Sequence, residues 1–187
     1  QVSSIKEKYK KGTIKDVEVK EFLVEVLENF LEPIRMKRKE FDQCIKDNKL
    51  IETNYKDTGL AEELLNFAQH RLDFWNKIQF QNDFPSLVLE GHYEIIKELA
   101  TAILALDGWN ALDHECLFAY LKSKKKDLEI DFDFLLELKD TRNSISYRGV
   151  MLNSNTWTQN KLKIQTIIKA MQEYVKNKLD YSEPKTL

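Results

Sequence analysis

Glycine and proline are scarce in this sequence, five and three among 187 residues. Sandwiches and barrels need turn formers about every 8–12 residues, so the composition favours long helices over a strand-and-turn fold. Charge of one sign is lacking as well. There are 29 basic and 31 acidic side chains, a formal net charge of −2. The whole chain is no polycation, and any nucleic-acid contact must come from a local patch. No apolar run approaches the ~20 residues of a membrane span and no signal peptide is visible, so no membrane association is expected. The two cysteines, Cys44 and Cys116, form no CxxC pair. Free thiols in a reducing cytosol are the plain reading, which implies a cytoplasmic protein, although a disulfide between them is compatible with the sequence.

Familiar signatures of chemistry are missing too. There is no Walker loop, no GxGxxG and no HExxH, and Ser and Cys lack a local nucleophile motif. The three histidines, His70, His92 and His114, fall on separate segments. No metal and no cofactor are therefore expected.

What is present is helical periodicity. Residues 1–15 read as a frayed basic start with Lys6, Lys8, Lys10 and Lys11. From Asp16 a helix carries Val19, Leu23, Val26, Leu27, Phe30 and Ile34, with Pro33 either kinking it or opening a second. The pattern continues through Phe41, Cys44 and Ile45. A long helix is predicted over 59–80, with Ala61, Leu64, Leu65, Ala68, Leu72 and Trp75 inward. The next holds Ile96, Leu99, Ile103 and Leu106 and stops at Gly108, and a fourth spans 109–121. "LKSKKKD" reads as a solvated basic turn. Asp131 or Asp133 caps a fifth helix with the stripe Leu135, Leu138, Arg142 and Ile145, ended by Gly149. Ile164, Ile167, Ile168, Met171 and Val175 mark the last. No segment alternates convincingly as a strand. The expected fold is all-α, one domain over 1–187, an antiparallel bundle of about six helices.

Arg142 is the odd member of its stripe. It lies four residues after Leu138 and three before Ile145, on the same face. A guanidinium cannot shed its charge, so burial requires a partner. Either its head reaches water or an acid such as Asp140, or it is offered to a ligand.

"RNSISYRG" at the end of a helix, after "GWNALDHECLFAYL", resembles the HEPN family (higher eukaryote and prokaryote nucleotide-binding domains). The likeness covers 86–180, best at "EGHYEIIKELATAILALDGWNALDHECLFAYL" and "LKDTRNSISYRG". The resemblance implies a dimeric helical bundle. Many members are metal-independent ribonucleases, often toxins paired with a small nucleotidyltransferase, in toxin–antitoxin or defence systems. Others bind nucleotide or RNA without turnover. The family's active pattern is an arginine, a polar neighbour and a histidine four to six residues on. Arg142 and Asn143 match the first two. Tyr147, Arg148 and Gly149 stand where the histidine would be.

Histidine suits proton transfer because its ordinary pKa is ~6.5, whereas a tyrosine at ~10 is ionised only ~0.1% at pH 7. Tyr147 can stack on a base or donate a proton, but it is a poor base. His114 is the candidate substitute, against the plainer reading of a boundary histidine bonded to backbone or Glu115. At ~100° per residue Tyr147 lies about 140° around the helix from Arg142, so convergence calls for a bent helix end or a second copy. The resemblance thus leads to a dimeric nucleotide- or RNA-binding module using Arg142, Tyr147 and Arg148, with the fifth helix at its interface. The alternatives are a ribonuclease using Arg142, Asn143 and Tyr147 or His114, and a structural helical protein with a protein partner.

Overall fold

A computed structural model describes residues 38–79 and 81–180. The helices expected over 16–34 and the frayed start lie outside the described residues. From Lys39 onward the chain forms one compact unit. Its elements are α1 (Phe41–Lys46), β1 (Leu50–Glu52), α2 (Thr58–Lys77), a 3₁₀ turn (Gln81–Asp83), α3 (Pro85–Asp107), β2 (Trp109–Ala111), α4 (His114–Lys124), α5 (Phe132–Arg148) and α6 (Ser154–Asp180). The fold is an all-α antiparallel bundle with one small sheet.

α3 is the central element. Val88, Ile95, Ile96, Leu99, Ala102 and Ile103 are all fully buried, as a helix covered on nearly every side must be. α2 runs antiparallel to it, with Trp75 at Gly91 and Arg71 at Glu98. The indole lies so close that a Cβ on Gly91 would stand 2.1 Å from its Nε1. α5 packs antiparallel on another side, Arg142 meeting Glu94 and Ser146 meeting Glu90. α6 closes the core with the expected stripe, Ile164, Ile167, Ile168, Met171 and Val175, all buried.

Caps set the helix limits. Asp57, Asp113 and Asp131 accept from the backbone N–H groups of Leu60, Cys116 and Phe134, satisfying donors that a first turn leaves open. Gly108 and Gly149 end α3 and α5 in the left-handed region, at φ 77° and 65°.

Three expectations are corrected. The segment after Gly108 is not helical until His114. Trp109–Ala111 instead pairs antiparallel with Leu50–Glu52, Leu50 opposite Ala111 and Glu52 opposite Trp109. Three-residue strands are too short for alternation to be legible. Cys44 and Cys116 are not free thiols but a disulfide joining α1 to α4. That removes the thiol argument on which a cytoplasmic location rested. The lysine-rich turn is not merely solvated: Lys125 is buried with its Nζ 2.6 Å from Asp107 and 2.8 Å from the Tyr174 hydroxyl. Lys124 sits over the Phe41 ring and Lys122 pairs with Asp133. No described helix is long and apolar enough to cross a membrane.

Candidate functional site

Arg142 finds its acid on α3, not on its own helix. Its guanidinium lies 3.2 Å from Glu94 Oε1, both side chains 21% exposed, while Asp140 pairs with Lys139. The guanidinium carbon stands 5.9 Å from the ring centres of both Tyr93 and Tyr147. Burial opposes its charge, but the Tyr147 hydroxyl and the Glu94 carboxylate outweigh that and hold its pKa above the ordinary value. Glu94 has a second cation, Lys97, one turn along α3. Burial would raise the Glu94 pKa, yet Lys97 and Arg142 together bring it below its usual value.

Tyr93 links this pair to α4. Its ring is buried, and its hydroxyl lies 2.9 Å from His114 Nδ1. Burial pushes the Tyr93 pKa up. Burial, followed by the charge of Lys97, pushes the His114 pKa down, so the imidazole is neutral at pH 7. His114 Nε2 makes no hydrogen bond to a described residue. Glu115 does not hold His114; it binds Lys139 Nζ at 3.2 Å and accepts from the Lys39 backbone N–H at 2.8 Å.

The structure therefore gathers Arg142, Tyr147 and His114 around Tyr93 and Glu94. Arg142 and Tyr147 meet within one continuous helix, through the reach of two long side chains, without a bend or a second copy. Tyr147 is 77% exposed at the solvent edge. Asn143 is half-buried and Arg148 is exposed at the helix end, both within α5; neither side chain makes a hydrogen bond or ion pair to a described residue. Beyond them, across the α3–α5 seam, Phe84, Leu87, Val150 and Met151 are exposed.

Sequence reading missed Tyr93, Glu94 and Lys97. Their signal was present: Glu90, Glu94 and Lys97 put charge on one face of an otherwise apolar helix, four and three residues apart. His70 is exposed on α2. His92 is fully buried with its Nδ1 2.8 Å from the Val88 carbonyl and its ring 4.6 Å from that of Trp157. Among the described residues no group of three His, Cys, Asp or Glu is gathered as metal ligands. A cleft of about 410 Å³ lies elsewhere, between the α4–α5 link and α6, with Ile130, Leu162 and Ile167 as its apolar lining. Compared with protein-family models, with curated proteins and with solved structures, the chain matches none.

Proposed function

We propose that this chain is a HEPN-like homodimeric module that binds the phosphate of a nucleotide or RNA at Arg142, without turnover. One observation carries the reading: Glu94 is shared between Arg142 and Lys97. An incoming phosphate that takes the guanidinium leaves Glu94 paired with Lys97, so no buried acid is stranded. A guanidinium matches phosphate oxygens with two N–H groups, and the exposed Tyr147 ring beside it offers a stacking face for a base. A nucleotidyltransferase partner, a toxin–antitoxin or defence role and a cytoplasmic location belong to the same reading through the resemblance alone.

The test is titration of a fluorescent single-stranded RNA in EDTA at several salt concentrations. Arg142→Ala should weaken binding and lower the salt slope by about one phosphate contact. Glu94→Gln should tighten binding, because it removes the competing carboxylate. Unchanged affinity in both variants refutes the site.

A second reading is favoured by the position of His114. In the tautomer with hydrogen on Nδ1, it donates to Tyr93 and keeps a lone pair on Nε2 for a 2′-hydroxyl proton. Such a ribonuclease would cleave RNA in EDTA and lose that activity in His114→Asn. If the wild type is inert, Tyr147→His supplies the family's missing base and tests whether that group alone is lacking.

A further inference from the structure

The geometry points to residues 39–47 as a redox-sensitive strap: the Cys44–Cys116 disulfide clamps it onto the first turn of α4, and a dithiol reductant that opens the bond releases the strap and its hold on His114. α1 has six residues and buries one of them, Cys44. That is far short of the ~12–15 residues at which an isolated helix becomes even marginal. Its other ties to the described fold are light. The half-buried Phe41 ring stands 5.9 Å from that of Trp109 and 6.1 Å from that of Tyr120. Lys39 Nζ lies 3.1 Å from Asp113, and the Lys39 backbone N–H donates to Glu115 at 2.8 Å. After α1 the chain turns at Asn48, a non-glycine residue in the left-handed region at φ 51°. From Lys49 onward it is held by backbone bonds: the Leu112 N–H donates to the Lys49 carbonyl, and β1 pairs with β2. The disulfide is thus the main hold on the segment before Asn48, while the segment after it does not depend on that bond.

The strap holds the turn that carries His114. Asp113 caps α4 by accepting from the Cys116 N–H at 2.8 Å, and Asp113 and Glu115 are both bonded to Lys39. His114 stands between them in sequence, its Nδ1 2.9 Å from the Tyr93 hydroxyl. Glu115 keeps a second partner, Lys139 at 3.2 Å, so release of the strap loosens the turn without stranding that acid. Both cysteines are fully buried, so a reductant reaches the sulfurs only when α1 lifts, a local opening of the low-stability kind. A reductant thiolate then attacks Cys44 Sγ. The Cys44–Cys116 bond breaks, and Cys116 leaves as a thiolate, which its place in the first turn of a helix favours. The reductant's second thiol attacks the mixed disulfide at the reductant's own sulfur and releases Cys44. Two electrons and two protons pass from the dithiol, giving two cysteine thiols and the reductant's disulfide. This inference goes beyond the phosphate reading and does not rest on it, because the position of His114 is read with no ligand present.

The experiment is nuclear magnetic resonance of the full chain, oxidised and then treated with dithiothreitol. On reduction the amides of α1 should move to unstructured positions, and the His114 imidazole and the first turn of α4 should shift. The resonances of α3 and α6 should stay, since their core does not include α1. Cys44→Ser should give the reduced spectrum with no reductant present. Unchanged α1 and His114 resonances, in reduced wild type or in Cys44→Ser, would overturn the strap. So would collapse of the whole spectrum, which would make the bond a staple of the entire fold. The rate of reduction of the oxidised wild type is a second measurement, independent of how stable the reduced form is. It should rise in proportion to dithiothreitol and exceed the rate of global unfolding, and Lys39→Ala should speed it about two- to five-fold, the effect of losing a part-exposed ion pair. A rate that levels off at that of global unfolding, indifferent to Lys39→Ala, would show that α1 does not lift by itself and refute the device. RNA retention, read through Arg142→Ala, is a separate result.

Discussion

The Tyr93 hydroxyl lies 2.9 Å from Nδ1 of His114, and the same tyrosine's ring lies 5.9 Å from the Arg142 guanidinium carbon. One buried side chain on α3 thereby joins a neutral imidazole on α4 to a cation on α5. Arg142 lies on an apolar stripe because α3 offers it Glu94 and the Tyr93 ring at that level, so its charge is paired while its stem packs.

Arg142→Leu tests how firmly that pair holds the fold. Glu94 keeps Lys97, so thermal or denaturant unfolding should change by no more than ~1 kcal/mol, while RNA affinity falls. A loss of ~3–5 kcal/mol would show that Glu94 is left as an unpaired buried acid, and that Arg142 is structural first.

Acid should destabilise the chain before its carboxylates titrate. His92 and His114 both have pKa values below the ordinary 6.5, chiefly through burial. The unfolded chain therefore takes up their protons first. Their contribution is fully present above pH 6.5 and is lost as pH falls through the lowered folded values. Melting temperatures measured from pH 7.5 to 5 should fall on this account, and His114→Asn should flatten part of the slope. An identical slope in that variant would remove His114 from the explanation.

The Cys44–Cys116 bond spans 72 residues of sequence. Closing such a loop restricts the unfolded chain by about 4 kcal/mol in the chain-entropy model. Unfolding in strong reductant, or in a Cys44→Ala, Cys116→Ala variant, should show a loss of that order. Thiol titration of the non-reduced unfolded protein should find no free cysteine, since the sequence has only these two.

Gly91→Ala should cost ~1–3 kcal/mol, because the new methyl meets Trp75 ring atoms at 2.1–2.4 Å inside a packed seam. Trp75→Phe combined with Gly91→Ala should recover part of the loss, as measured by denaturant melts. Equal melts for wild type and Gly91→Ala would mean that α2 can slide away from α3 freely.

By itself the sequence determined the described helices that are long, periodic and capped. α2, α3, α5 and α6 follow from apolar spacing, from Asp131 before the first turn of α5, and from Gly108 and Gly149 after α3 and α5. These are local effects, decided within a few turns of chain. It also brought Arg142, Asn143 and Tyr147 to one helix end, because that is a matter of residue count. The short sheet depended on long-range pairing: Leu50–Glu52 becomes a strand only because Trp109–Ala111 is delivered beside it. The same holds for the disulfide, for the burial of Lys125 and for the partners of the site. Glu94 reaches Arg142 across 48 residues and Tyr93 reaches His114 across 21. Only the antiparallel seating of α5 on α3, driven by burial of apolar faces that are indifferent to which acid meets which base, decided that Arg142 would face Glu94 rather than open water.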